Sequence, residues 1–305
     1  MLDTETRQRL GRVIAVINRK GGVGKTSITA NVGGIVAASG TRVLIIDLDS
    51  QGNLGEDLGY SGEEIDDHGK NLTRAIIDGD PLTPINVREN LDVIPGGHRL
   101  QLVTGYFASN TGQLATAHDH LAQAIAAVAD DYGLILIDCP PGDSNIQIQA
   151  LVSARWLIIP TQPDTGSIQG LVHIAQMLHD VRPQNPSLEL LGVALFPVPS
   201  TATKIRAEAK RTLSGILGDS ANVFEATIRQ AMAAAVDARS RGQLIFELAR
   251  DAEQQDPFEF KKALDAGKTP TKKLAGSASP LAADYVNLTR EILHILATRE
   301  AAEVN

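Results

Sequence analysis

A glycine-rich segment near the start of the chain has the composition of a phosphate-binding loop. Residues 18–27 read NRKGGVGKTS, with a Lys-Thr pair directly after the third glycine. Glycines let the backbone curl so that its N–H groups point inward, and the N-terminus of a following helix adds positive potential. The lysine reaches the β- and γ-phosphates, and the hydroxyl beside it binds Mg²⁺. An ordinary strand-to-helix turn would not require this lysine. The predicted cradle for ATP and Mg²⁺ comprises Gly21, Gly22, Val23, Gly24, Lys25, Thr26 and Ser27.

Carboxylates follow two other apolar runs of the chain. DLDSQGN at 47–53 carries Asp47 and Asp49, and LILIDCPPG at 134–142 carries Asp138 after four apolar residues. A carboxylate at the carboxyl end of a buried strand is placed to hold the water shell of a Mg²⁺ ion beside a phosphate loop. We expect only one of Asp47 and Asp49 to face the phosphates; the alternative is that both cap the turn that follows.

The elements that must position these residues alternate along the chain. Apolar runs without polar alternation are typical of strands covered on both faces, and strands that alternate with helices indicate a mostly parallel sheet. Helical periodicity is clear at 25–39, 115–131, 166–182, 202–217 and 281–298. The pattern predicts a three-layer α/β fold in which helices flank a twisted sheet on both faces. The predicted strands are 13–18, 42–49, 91–96, 134–140, 156–162, 190–198 and 222–228.

Composition narrows the class of protein. The chain has 305 residues, 43% of them hydrophobic, a net charge of -8 and a single cysteine, Cys139. These values predict a cytoplasmic protein with a sizeable core and no internal disulfide. No signal peptide or run of about 20 apolar residues is visible. We interpret residues 1–305 as one domain, with a charged surface excursion at about 251–280 before the last helix.

Lys20, ahead of the first two glycines, identifies the family that the sequence resembles. KGGVGKT resembles the deviant Walker A box of the ParA/MinD superfamily of P-loop ATPases. DLDSQGN resembles that family's DxDPQGN box, with Ser50 in place of proline. Residues 158–171, IIPTQPDTGSIQGL, resemble a third family segment, with Asp164 in place of the usual glutamate. The resemblance runs from Val13 to the last helix and is weaker beyond residue 200.

The resemblance implies a Mg²⁺-dependent ATPase that works as an ATP-bound homodimer. Lys20 would reach the phosphates in the partner's site, where a cation supplied by the second chain stabilises the transferred phosphoryl group. Lys20, Lys25 and Asp49 are then the catalytic residues, with Asp49 orienting the attacking water. Thr26, Asp47 and Asp138 would hold the metal. The family segment at 227–249 gives one candidate contact to the base, Arg229.

Within the superfamily, the partition ATPases of the ParA/Soj type fit best. Iron-protein reductases need more cysteines than Cys139, and a MinD-type ATPase needs a basic amphipathic C-terminal helix, which the ending REILHILATREAAEVN does not provide. Metabolic kinases and amide ligases are not expected to carry Lys20. The resemblance therefore implies an ATPase that binds double-stranded DNA without sequence specificity, is stimulated by a ParB-like partner, needs no membrane and associates with the nucleoid. The alternative is a ParA-like ATPase that positions a protein complex or other cargo.

DNA contacts are expected in the C-terminal half, where basic residues cluster on a predicted helix at 201–217. Lysine and arginine contacts to phosphates give non-specific, salt-sensitive binding; the alternative is an ordinary solvated helix face. Lys261, Lys262, Lys272 and Lys273 of the excursion are weaker candidates. The candidate DNA-binding residues are Lys204, Arg206, Lys210, Arg211, Arg239 and Arg241.

Overall fold

The computed structural model of the chain contains one sheet that positions all the predicted motifs. It describes residues 2–109, 114–199, 203–217, 222–256 and 274–304. The strands of these residues are β1 (Val13–Val16), β2 (Val43–Asp47), β3 (Ile85–Arg88), β4 (Leu91–Ile94), β5 (Leu134–Asp138), β6 (Trp156–Thr161), β7 (Glu189–Val198) and β8 (Val223–Arg229).

The strand order is β3-β4-β2-β5-β1-β6-β7-β8. Every neighbouring pair is parallel except β3 and β4, which are antiparallel. All seven predicted strands are found. The sequence did not predict β3, because INVR is short and only half buried and so lacks the apolar run of the other strands.

The helices in the described residues alternate with these strands, as predicted. The five predicted from periodicity correspond to α2, α6, α8, α9 and α12; the shorter ones have too few turns to show a clear period. The helices are α1 (Thr4–Arg9), α2 (Lys25–Ala38), α3 (Asn53–Leu58), α4 (Lys70–Asp78), α5 (Gln101–Ser109), α6 (Leu114–Val128), α7 (Ser144–Ser153), α8 (Thr165–Val181), α9 (Thr203–Leu217), α10 (Met232–Ser240), α11 (Ile245–Gln254) and α12 (Ala278–Val304).

Alternate residues of the central strands pack into two separate cores. Val13 and Ala15 of β1 join one cluster, whereas Ile14 and Val16 join the other. Successive side chains of a strand point to opposite faces, so each face of the sheet has its own layer: α4 to α8 on one side, and α2, α3 and α10 to α12 on the other. This arrangement confirms the predicted three-layer α/β fold.

The surface excursion predicted at about 251–280 lies only partly within the described residues. Residues 251–254 and 278–280 of the predicted excursion belong to α11 and α12, and 257–273 lie outside the described residues. The single-domain interpretation therefore stays a prediction. Among the described helices, none combines the length and the apolar composition needed to cross a membrane.

Candidate nucleotide and magnesium site

The loop between β1 and α2 has the backbone conformation that a phosphate cradle requires. Gly22 and Gly24 have φ values of 72° and 83°, in the left-handed region that favours glycine. Gly24 caps α2, and its carbonyl accepts from the Ile28 N–H at 2.8 Å. The buried Asn18 holds the start of the loop, because its Oδ1 accepts from the Lys20 N–H at 3.0 Å and its Nδ2 donates to the Pro160 carbonyl at 2.6 Å.

Lys25 lies inside this loop at the first position of α2. Its side chain is buried, and Nζ donates to the carbonyl of Lys20 at 3.2 Å. Burial lowers the pKa of Lys25, and the nearby charges of Asp138 and Asp49 oppose that shift. The Lys25 side chain therefore lies within the loop, and its contact with a phosphate stays a prediction.

Asp138 ends β5, the strand between β2 and β1. In the sheet register it is level with Asp47 of β2 and Val16 of β1. Both oxygens of Asp138 and Oδ2 of Asp47 are buried and have no hydrogen-bond partner within the described residues. Burial, the largest cause, raises the pKa of Asp138 to about 7, while Thr26 and Lys25 lower it.

These unsatisfied oxygens suit a hard divalent cation. Mg²⁺ is usually bound by one or two carboxylates together with phosphate oxygens and water. Asp138, Asp47 and the hydroxyl of Thr26 at the start of α2 supply oxygen ligands of this kind. Within the described residues no three His, Cys, Asp or Glu side chains are grouped to hold a metal alone. The donor set therefore fits a Mg²⁺ ion shared with a nucleotide.

Asp49 lies just past the end of β2, where hydrogen bonds to its N–H and its carbonyl hold its backbone in place. Its N–H donates to Oδ1 of Asp47 at 2.9 Å, and its carbonyl accepts from the Gly97 N–H at 3.0 Å. Asp47 and Asp49 are both buried; the charge of Asp138 raises the pKa of Asp47, and the charge of Asp49 raises the pKa of Asp138. The expectation that only one of them faces the site is wrong, because residues two apart in an extended segment share a side.

Lys20 does not lie over its own phosphate loop in this structure. Its Nζ donates to Oε1 of Gln162 at 2.6 Å and to Oδ2 of Asp164 at 2.9 Å. Gln162 and Asp164 follow β6, in the third family segment. The sequence singled out both the lysine and this segment, but nothing in either motif indicated that they contact each other.

A cavity of about 410 Å³ opens beside the phosphate loop. Gly22, Gly24 and Ser27 line it, together with apolar side chains from the end of β7 and from α10, α11 and α12. Arg229, the predicted base contact, lines the cavity, but its guanidinium forms an ion pair with Asp284 at 2.6 Å. The sequence did not identify the other lining residues, which include Phe196, Met232, Ala235, Val236 and Tyr285.

The candidate DNA-binding residues divide into exposed and paired side chains. Lys204 and Arg211 on α9 are exposed, as is Arg241 after α10. Lys210 pairs with Glu225 at 2.6 Å, and Arg239 with Asp57 at 2.7 Å. These two ion pairs make Lys210 and Arg239 weaker candidates than the sequence suggested. The side chain of Arg206 lies outside the described residues, as do Lys261, Lys262, Lys272 and Lys273.

Comparison with known sequences gives one family match and relatives that are similar over part of the chain. Residues 11–190 match the family described as AAA domain. The chromosome partitioning protein ParA of Caulobacter vibrioides is 34% identical over 190 residues, which cover 60% of this chain and 68% of that protein. An uncharacterized protein of Mycobacterium tuberculosis is 35% identical over 188 residues, or 60% of this chain. This chain spans 57% of the length of that mycobacterial relative.

Solved structures share the architecture over most of the chain. The structure of pnob8 ParA superposes with a TM-score of 0.69 at 20% identity, covering 94% of this chain and 99% of that one, which shows the fold alone. Cobyrinic acid a,c-diamide synthase of Mycobacterium smegmatis, with bound ADP and magnesium, gives a TM-score of 0.63 at 25% identity over 86% of this chain and 98% of its own. The family match over residues 11–190 and the 34% identical ParA relative show that the chain belongs to the AAA domain family and is of the ParA/MinD type.

Proposed function

We propose that the chain binds ATP with Mg²⁺ at this site and hydrolyses it to ADP and phosphate. One observation carries the proposal: Oδ2 of Asp47 and both carboxylate oxygens of Asp138 are buried without a partner within the described residues, beside a buried Lys25 and a left-handed glycine loop. Buried polar groups are almost always satisfied, so unpaired ones call for a ligand. A metal–phosphate group would satisfy the carboxylates and the lysine together.

Each residue of the site has a distinct role in this proposal. The loop N–H groups and Lys25 bind the β- and γ-phosphates, and Thr26, Asp47 and Asp138 hold the ion and its waters. The Mg²⁺ ion, when bound, neutralises charge on the phosphate oxygens. Asp49 accepts a hydrogen bond from the attacking water and orients it in line with the γ-phosphate. These groups are held in place before the reaction, so they stabilise the transition state without reorganisation.

The adjoining cavity supplies a place for the base. Phe196, Met232, Ala235 and Val236 form an apolar wall, against which a planar ring can pack, and the side chains of Met232 and Val236 are 68% and 57% exposed. Arg229 remains a candidate contact at the edge of this wall, although it would act from within its ion pair with Asp284.

We further propose that ATP binding assembles a homodimer that binds double-stranded DNA without sequence specificity. Lys20 would leave Gln162 and Asp164 and enter the partner's site. Lys204, Arg211 and Arg241 would contact DNA phosphates, because they are exposed. Hydrolysis, accelerated by a ParB-like partner, would separate the dimer and release DNA at the nucleoid. The similarity to the chromosome partitioning protein ParA of Caulobacter vibrioides supports this form of the proposal.

Retention on a non-specific DNA duplex tests the proposal. The protein is measured with ADP, ATP and a non-hydrolysable ATP analogue across a salt series. Lys20→Ala and Lys204→Ala/Arg211→Ala are expected to lose binding, whereas Asp49→Ala is expected to bind DNA persistently with ATP. The matched control is Lys70→Ala/Arg99→Ala, which removes two exposed cations from other elements.

Different results would contradict the proposed ATPase role and the proposed DNA-binding role. ATP hydrolysis and dimerisation without DNA binding in any nucleotide state would contradict the DNA role and favour a ParA-like ATPase that positions another cargo. No binding of ATP to the wild-type chain would contradict the ATPase role itself.

A further inference from the structure

The segment that leaves β5 after Asp138 has only one backbone donor before its two prolines. Cys139 donates its N–H to the Val16 carbonyl at 3.3 Å, and the Asp138 carbonyl accepts from the Leu48 N–H at 2.9 Å. The next two residues are Pro140 and Pro141, which carry no N–H. At these two residues, therefore, backbone hydrogen bonds can form only at the carbonyl oxygens.

Gln147 provides such an anchor from α7. Its side chain is fully buried, and Nε2 donates to the carbonyl of Pro140 at 2.8 Å. Its Oε1 is also buried and has no partner within the described residues. An apolar side chain would avoid this unsatisfied acceptor. Packing alone therefore does not explain the amide, because burying its unpaired oxygen lowers the stability of the fold. The hydrogen bond that the amide donates goes to the segment that follows Asp138.

The helix that carries Gln147 is itself fixed at its N-terminus. Asp143 caps α7, with Oδ1 accepting from the Asn145 and Ile146 N–H groups at 3.1 and 3.2 Å. Its Oδ2 accepts from the Thr104 hydroxyl of α5 at 2.6 Å. Gln147 therefore approaches Pro140 from a helix that is tied to its neighbour.

We propose that Gln147 is a positioning residue for Asp138, which it controls through the carbonyl of Pro140. This inference rests on the proposed ATPase function. The carboxylate of Asp138 has no hydrogen bond of its own within the described part of the chain, so its direction follows from the backbone on either side. Hydrogen bonds to neighbouring strands fix that backbone as far as the Cys139 N–H, and Gln147 fixes it at the next residue, Pro140.

The test compares two leucine substitutions on the same helix. Gln147→Leu removes the donor to Pro140 and keeps a similar volume. Gln149→Leu is the control, because Gln149 is equally buried and neither of its amide atoms has a partner within the described residues. Gln147→Met serves as a second, unbranched replacement. For the wild type and the variants, the rate of ATP hydrolysis is measured against ATP and against Mg²⁺. The rise in Tm that Mg²⁺ causes in the presence of a non-hydrolysable ATP analogue is measured as well, and it should be smaller for the Gln147 variants than for the wild type and Gln149→Leu.

For Gln147→Leu and Gln147→Met we expect kcat to fall about tenfold or more, because small displacements of a catalytic group have effects of this size. The Mg²⁺ concentration for half-maximal rate should rise several-fold, with the KM for ATP at saturating Mg²⁺ changed less than about twofold. Gln149→Leu should match the wild type in all three values.

Equal kcat and Mg²⁺ dependence in the Gln147 and Gln149 variants would overturn the inference. Loss of folding in Gln147→Leu with normal catalysis in Gln147→Met would overturn it as well, because the amide would then serve packing only. A wild-type chain that does not hydrolyse ATP would instead contradict the proposed function, so the two failures are distinguishable.

Discussion

The ammonium group of Lys20 donates to Oδ2 of Asp164 at 2.9 Å, so the lysine that distinguishes this phosphate loop is bound within its own chain. Gln162 accepts a second hydrogen bond from the same group at 2.6 Å. If Lys20 enters the partner's site in the proposed dimer, both contacts must break first. The intrachain pair therefore competes with dimerisation.

Asp164→Asn should favour the ATP-dependent dimer. The Lys20 and Asp164 side chains are 41% and 43% exposed, and screening limits such a pair to at most about 1 kcal/mol. We expect the dimer to form at protein concentrations up to about fivefold lower, measured by sedimentation with a non-hydrolysable ATP analogue. Asp180→Asn, an exposed site further along α8, is the control. A weaker Asp164→Asn dimer would indicate that Asp164 acts across the interface instead.

Asp49→Ala should separate ATP binding from hydrolysis. Lys25, Thr26 and Asp138 remain in place, so the nucleotide still binds, but the attacking water loses its acceptor. We expect the turnover rate to fall at least about a hundredfold, as for loss of general-base catalysis, with the Kd for ATP changed less than about threefold. Asp78→Ala on the exposed side of α4 should change neither value. A parallel loss of ATP affinity would assign Asp49 to binding.

Substitutions at two alanines of α10 test whether the base of ATP binds in the cavity. Ala235 lines the cavity and Ala233 does not, although both are exposed. Ala235→Asp introduces a carboxylate into the apolar wall proposed for the base, and we expect the KM for ATP to rise about tenfold because the charge must be desolvated. Ala233→Asp should leave KM unchanged. Equal KM values for the two variants would place the base elsewhere.

Asp138→Asn should stabilise the nucleotide-free chain while it removes the metal site. The folded-state pKa of Asp138 is about 7, against 3.8 for an ordinary aspartate. The folded state thus binds the proton more tightly, and the free energy of unfolding falls as pH rises from about 4 to about 7. Asparagine cannot titrate, so this decline should weaken and the Tm at pH 7.5 should rise by several degrees. Thermal unfolding at several pH values, without Mg²⁺, measures both effects; a lower Tm throughout would contradict the prediction.

Two helix glycines should respond oppositely to alanine. A Cβ on Gly33 of α2 would lie 2.8 Å from Cδ1 of Ile45 and 3.3 Å from Cδ1 of Leu136, whereas a Cβ on Gly105 of α5 meets nothing within 4 Å. Gly33→Ala should therefore lower the free energy of unfolding by about 1–3 kcal/mol through overpacking. Gly105→Ala should raise it by about 0.5–1 kcal/mol through helix propensity. Urea denaturation measures both, and stabilisation by Gly33→Ala would show that α2 can move away from the sheet.

The sequence predicted those parts of the site that depend on local chemistry. The Lys25–Thr26 loop and Asp138 were found because glycines, strand ends and helix starts leave a pattern within a few residues. The expectation that only one of Asp47 and Asp49 faces the site was wrong, since it depends on which side of the chain each residue takes after β2 ends.

Contacts between distant segments could not be predicted in the same way. Lys20 and Asp164 are 144 residues apart, and the pair of Arg239 with Asp57 spans 182 residues. A charged residue in a sequence shows only that it can form an ion pair, and the fold decides with which partner. For the same reason, no recognisable sequence motif marks the apolar wall of the cavity, because Phe196 and Met232 come from separate parts of the chain.

The insertion of β5 between β2 and β1 has a consequence for the growing chain during synthesis. The strands that carry the phosphate loop and Asp49 do not pair with each other, and each instead pairs with the strand that ends at Asp138. A nascent chain that stops before residue 134 holds the whole glycine loop but lacks the strand that would bring it beside Asp49. Nucleotide can therefore stabilise only chains that have emerged beyond β5, and ribosome-bound chains of increasing length should acquire protection by ATP abruptly at that point.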